Sequence, residues 1–180
     1  MPSKRAVENI IAGLDLEQSN RTLADHWLSL WEGDALPPRA KLNPAKLKSF
    51  LPGMLLFDVV PDRSITVRLA GTGYRYALQK DPTGTDWIAA APESHRANRL
   101  KAFSTIARGA VLVAHRRIGM LAGEDYISEE ILLPFAPDAS GVVTVMARVN
   151  FGEREFQRIR SVPQVTGEPL DVKIVPFDGA

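Results

Sequence analysis

Three histidines, His26, His95 and His115, are the side chains best suited to move a proton or hold a metal near neutral pH. None has a second histidine or a carboxylate three or four positions away, so no ligand pair shares one helix face. The chain has no cysteine, which excludes a thiolate nucleophile, iron–sulfur and cysteine-type zinc sites, and a thiol-bonded chromophore. Ser104 and Ser128 lack the glycine elbow of a serine nucleophile. Glu124-Asp125 and Glu129-Glu130 are carboxylate pairs, one in a turn and the other alternating along a strand. Acid–base work would require one of them to be buried with a raised pKa. The simpler expectation is a structural or solvated role.

Two glycine-containing segments invite a phosphate reading. Residues 71–77, GTGYRYA, come close to G-x-G-x-x-A after a strand-like run, with Ala77 one position late. A dinucleotide site needs that turn inside a β-α-β unit, followed by an acidic residue closing a second parallel strand. The residues that follow, DPTGTDW, are turn-like, so the segment is read as a chain reversal where glycine permits positive φ. Asp81, Pro82, Thr83 and Gly84 offer too few oxygens for calcium and suit a turn closed by Asp81 or Thr83. Arg148, Arg154, Arg158 and Arg160 interleave with Phe151 and Phe156, but Glu153 and Glu155 dilute the charge. The net charge is only +1, so a nucleic-acid surface is not favoured and a solvated strand end is expected.

The elements that position these residues follow from periodicity. Val7, Ile10, Ile11 and Leu14 form an i, i+3, i+4, i+7 stripe, a short amphipathic helix that must dock on something. Ser19 or Asn20 is placed to cap a second helix carrying Leu23, Trp27, Leu30 and Trp31. Pro37-Pro38 enforces an extended connector, and residues 44–50 are expected to form a short helix. Residues 54–60 and 65–70 read as a hairpin around Pro61-Asp62-Arg63-Ser64. A longer helix spans 92–108, with Leu100, Phe103, Ile106 and Ala107 as its buried stripe and Gly109 as its stop. Residues 111–118, 126–134 and 142–151 are three further strands, and 170–175 is a possible edge segment. Helices segregated from consecutive hairpins imply an α+β fold with a five-stranded antiparallel sheet. The sheet carries helices on one face and N-terminal flanking helices, with its first and last strands adjacent. The expected division is a flanking helix over 1–20, a domain over 21–155 and a proline-containing tail over 156–180. No apolar run is long enough to span a membrane, and the start turns polar too soon for a signal peptide, so a cytoplasmic location is expected.

The order ββ, short helices, long helix, βββ resembles a PAS domain. The text is similar to the single-domain PAS proteins of alphaproteobacteria, formerly a family of unknown function. The resemblance rests on His26-Trp27 with residues 28–31, Pro37-Pro38-Arg39, Asn43-Pro44, Leu51-Pro52 running into 55–60, residues 68–72, residues 81–84 and Leu132-Leu133-Pro134. It spans about residues 22–151. The turns at Gly71, Thr72, Asp81 and Gly84 are then family-motif turns flanking a pocket. The resemblance implies a sensory or interaction role, with no known reaction and no agreed ligand.

Phe57, Tyr74, Tyr76, Leu78, Trp87, Phe103 and Ile106 are accordingly both the expected core and the pocket candidates. The cofactor is unknown; haem, covalent flavin and metal are not expected, His95 at the start of the long helix being the one histidine weighed as a haem ligand. The reading is a non-enzymatic regulatory module that binds a small ligand or a signalling protein partner. Its output passes through a partner or an oligomer. A homodimer is expected, with Val7, Ile10, Ile11 and Leu14 in the interface. The alternatives are a small enzyme using the same concavity and a nucleic-acid-binding regulator.

Overall fold

The hairpin that begins the sheet is built from β1 (Met54–Val60) and β2 (Ser64–Ala70), whose register runs from Leu55 opposite Ala70 to Val60 opposite Ser64. Its turn holds Asp62 at φ 60°, the left-handed region that aspartate tolerates better than most residues. The structure is a computed structural model that describes residues 3–78, 80–120, 126–149, 163–164 and 169–177. The remaining strands are β3 (Ala110–Met120), β4 (Tyr126–Pro137), β5 (Val143–Val149), β6 (Pro163–Gln164) and β7 (Pro169–Pro176). All pairs are antiparallel and the order is β2-β1-β5-β4-β3, with β6 and β7 both pairing with β3. The α+β sheet is therefore the expected five strands with an extension on the β3 side. The extension comes from the proline-containing tail, where Pro169 and Pro176 bracket β7 rather than interrupting it.

Every residue of β5 is buried, because both faces of the sheet are covered. On one face lie α3 (Thr72–Leu78) and α4 (Glu93–Ala107), over a core of Leu55, Phe57, Val59, Ile65, Val67, Leu112, Leu132, Val145 and Ala147. The other face carries α1 (Lys4–Ala12) and α2 (Gln18–Ser29), over Met54, Leu56, Val111, Val113, Ile131, Leu133, Phe135 and Met146. Alternate residues of each strand thus feed two separate cores. Val7, Ile11 and Leu14 are buried in the second core, and Ile10 packs against it half-buried. Trp27 is fully buried there, donating its indole N–H to the Pro134 carbonyl at 2.9 Å. Phe177, just past β7, seals the same core at 6.1 Å from Trp27.

Local departures from the periodic reading have identifiable causes. Residues 44–50 do not make one helix. Asn43 caps a 3-10 turn over Pro44–Leu47, and Pro52 sits in a second over Leu51–Gly53. Helix α2 starts at Gln18 and ends at Ser29. Ser19 and Asn20 therefore lie in its first turn rather than at its cap, and Leu30 and Trp31 lie beyond its last turn. Gly109 does stop α4, at φ 109°.

Candidate functional site

The face beneath α4 gathers most of the aromatic pocket candidates. Phe57 projects from β1 and meets Phe103 of α4 edge-to-face at 4.9 Å. Trp87 meets Phe57 at 5.5 Å. Trp87 is carried there by the segment after α3, which zips along the outer edge of β2. The bonds are Gly84 N–H to Val67 carbonyl (2.7 Å), Val67 N–H to Thr85 carbonyl (3.0 Å) and Trp87 N–H to Ile65 carbonyl (2.8 Å). The turn that launches this segment is the expected one. Asp81 accepts from the Thr83 N–H (3.0 Å) and hydroxyl (2.7 Å), pairs with Arg75 (3.0 Å), and Gly84 sits at φ 82°. The Thr83 bonds hold the Asp81 carboxyl below its ordinary pKa. Tyr74 and Ile106 join the same core, whereas Leu78 is only half-buried and is not part of it. The side chain of Tyr76 lies outside the described residues.

Gly71 carries α3 into place for a reason other than the one expected. Its φ is not positive. A Cβ there would lie 2.0 Å from the Leu51 carbonyl oxygen and 2.5 Å from that of Pro52, so only glycine lets the chains cross. Its N–H donates to the Met54 carbonyl at 2.7 Å, and Thr72 opens α3.

Charge enters this face at one rim. Arg116 of β3 donates through Nε to Glu130 of β4 at 2.7 Å. Arg99 of α4 donates to the Trp87 carbonyl at 2.6 Å, with its guanidinium 4.9 Å from the Trp87 ring centroid. Burial and then the nearby Arg116 charge hold the Arg99 pKa below its ordinary value, while Glu130 raises that of Arg116. At the far end of α4 the hairpin turn is pinned: the Asp62 N–H donates to the Ser104 hydroxyl at 2.8 Å, and Arg108 pairs with the Asp62 carboxylate. Ser104 is thus a structural acceptor.

The opposite face holds a second polar group that periodicity did not reveal. Glu129 is 1% exposed. Its carboxylate accepts the Glu17 N–H, 3.1 Å from each oxygen, and Asn20 Nδ2 at 2.8 Å. Asn20 Oδ1 in turn accepts from Arg148, which also donates to the Ser19 hydroxyl at 3.0 Å and lies over the Phe50 ring. Arg148 is therefore buried beneath α2 rather than at a solvated strand end. The other members of the basic stretch, Phe151, Arg154, Phe156, Arg158 and Arg160, lie outside the described residues, as do Glu124 and Asp125. His115 does not simply face solvent either. Its Nδ1 is 2.8 Å from Asp171 of β7 and its Nε2 is 3.6 Å from Glu129. His26 has a buried Nε2 with no hydrogen-bond partner among the described residues, and burial, then the Lys46 charge, lower its pKa. His95 lies in the first turn of α4. Among the described residues, no three histidines or carboxylates cluster as a metal site, and no helix is long and apolar enough to cross a membrane.

This network was legible only in fragments. Asn20 and Ser19 stood out as polar residues at a helix start, and Glu129 as one of a carboxylate pair. Nothing local joined them, since Asn20 and Glu129 are 109 positions apart.

Comparison with known families shows that a family model described as a PAS domain matches residues 16–147. The matched region runs from just before α2 into β5, leaving α1 and β7 outside it. No curated protein matches the chain.

Proposed function

The chain belongs to the PAS domain family, and on that premise we propose that this sensory or regulatory module responds to a small ligand seated between the sheet and α4. The observation that carries the reading is the convergence of Phe57, Tyr74, Trp87, Phe103 and Ile106 on one sheet face, with a charged rim of Arg99, Arg116 and Glu130. An apolar bed with a few placed polar groups is the usual chemistry of a small-molecule site. The carboxylate of that rim is engaged by Arg116, which favours binding over proton transfer and so favours a regulatory module over an enzyme.

A ligand there touches α4 and the Trp87 segment together. It biases their arrangement only if it binds one arrangement better than another. Helix α4 is tied to the β1–β2 turn through Ser104 and Arg108, which gives such a bias a route along the sheet. Output then passes to a protein partner or to a second copy. In the homodimer we propose, Val7, Ile11 and Leu14 are already committed to the chain's own core, so contact falls to half-buried Ile10 and the outward side of α1.

Native mass spectrometry of freshly purified protein, paired with hydrogen exchange, tests the ligand reading. The expected result is a small-molecule mass increment whose removal speeds exchange in α4 and residues 81–91. A chain that carries only its own mass, and whose α4 exchange is unchanged by a cell-metabolite extract, overturns it.

A further inference from the structure

We propose that a second copy of this chain docks along the free edge of β7, the two β7 strands pairing antiparallel about a twofold axis at Val172. This rests on the homodimer reading above and adds to the outward side of α1 a second surface, one made of backbone.

The first argument is an open edge. Among the described residues β7 pairs with β3 alone, so its other edge has no strand beside it. Phe177 donates its N–H to the Gly109 carbonyl at 2.9 Å, which turns the backbone of residue 177 toward β3. Alternation along the ladder turns Val175 and Lys173 the same way, so the N–H and carbonyl groups of Val172 and Ile174 point outward. Pro176 has no N–H to offer and closes this edge at one end, and a register shift beside Arg116 closes it at the other. Leu170, at 50% exposed, and Val172, at 47%, are two of the four large apolar side chains left exposed among the described residues. Ile174 lies on the same sheet face as Val172 and packs against the α4 core.

The second argument is register and charge. Facing residues in an antiparallel pair have the same backbone orientation, so a strand meets its own copy only about a single residue. Pairing about Asp171 or about Lys173 sets like charges opposite each other, which is destabilising. Pairing about Ile174 sets Val172 against Pro176, whose N–H is missing. Pairing about Val172 sets Asp171 opposite Lys173 of the second copy, twice by symmetry, and places Val172 against Val172 and Leu170 against Ile174. Asp171 and Lys173 are both exposed. The His115 N–H and Nδ1 lie 3.1 and 2.8 Å from Asp171 Oδ1, which fixes the carboxylate at the edge while its side chain stays 68% exposed. A lysine on an edge strand ordinarily guards against pairing. Here it is matched in one register of self-pairing, so it selects the partner as well as excluding others.

Sedimentation of the intact chain over a range of concentrations, with Asp171→Lys and Lys173→Asp run alone and mixed, tests the contact. Each variant alone sets like charges opposite at both symmetric positions and is expected to dimerise at least about tenfold more weakly than the parent. Their equimolar mixture sets lysine against aspartate again and is expected to return to within about threefold of the parent. Mixing does not rescue a chain that has merely failed to fold. In the parent, the Val172 and Ile174 amides are expected to gain protection from hydrogen exchange as concentration rises, while those of Lys173 and Val175 are protected throughout. Variants that dimerise as the parent does, a mixture no stronger than its parts, or Val172 and Ile174 exchange that ignores concentration overturns the β7 contact. The homodimer reading then stands on α1, where Ile10→Asp is the change that dissociates it. A parent that is monomeric at every concentration overturns both.

Discussion

Replacing Glu129 by glutamine removes a charge from the middle of the buried network under α2 while keeping its shape. The carboxylate accepts from the Glu17 N–H through both oxygens at 3.1 Å and from Asn20 Nδ2 at 2.8 Å. An amide NH2 in place of one oxygen sets a donor against a donor. An amide oxygen at the Oε1 position still accepts from both partners, but each bond exchanges a charged acceptor, worth about 1.5–3 kcal/mol, for a neutral one, worth about 0.5–1.5 kcal/mol. A second cost falls on Arg148, which is 8% exposed and whose proton affinity is lowered by burial but supported by Glu17 and Glu129. Breaking a directly bonded buried ion pair costs about 3–5 kcal/mol. Here Asn20 stands between Glu129 and Arg148, bonded to both, so the charge effect is a fraction of that. The expected total for Glu129→Gln is about 2–3 kcal/mol. With a urea m-value of about 1–3 kcal/mol/M, the unfolding midpoint should drop by about 1 M or more. A double-mutant cycle with Asn20→Ala supplies the second readout, and a coupling of about 0.5–3 kcal/mol is expected from residues in one network. A loss below about 0.5 kcal/mol, or strict additivity with Asn20→Ala, would refute the claim that this carboxylate anchors α2 to the sheet.

Gly71→Ala should lower stability by about 3 kcal/mol, at the upper end of overpacking costs, because the new Cβ would meet the Leu51 carbonyl at 2.0 Å; a melting temperature within two or three degrees of the parent would contradict this. Phe177→Ala, outside the family-matched region, should cost about 3–5 kcal/mol in urea unfolding, since its ring is buried against Trp27 and fills the second core. His26 makes stability depend on pH with a definite sign. Burial depresses its folded-state pKa below 6.5, so the stabilisation of the neutral form is present above pH 6.5 and is lost as pH falls toward the folded-state value. Urea midpoints from about pH 7.5 down to 5 should therefore fall less steeply in His26→Gln than in the parent, and parallel slopes would exclude the contribution.

Much of the architecture follows from local spacing. The hairpin at 54–70, the helix over 93–107 and the alternation of β5 are short-range patterns, and a side-chain period of 2 or 3.6 is a property of the backbone itself. The stripe of Val7, Ile11 and Leu14 likewise demands a docking partner wherever it occurs, because a free helix of that length is marginal in water. The partner itself is a different matter. That the stripe lies against its own sheet depends on which face α4 leaves open, and that is known only once all the strands are paired. The same holds for β7: residues 170–175 read as a possible edge segment, but the β3 edge that pairs with them exists only in the folded sheet. Gly71 announces a turn, but its necessity comes from the Leu51 and Pro52 carbonyls brought against it by the fold. Both polar groups are of this kind. Asn20, Glu129 and Arg148 come from a helix and two strands, and Arg99, Arg116 and Glu130 from a helix and a different pair of strands. Periodicity can say that Glu129 and Glu130 point to opposite faces. It cannot say which face lies beneath α2 and which beneath α4, because burial and charge pairing are set by elements far apart in the chain, and their energies exist only after those elements meet.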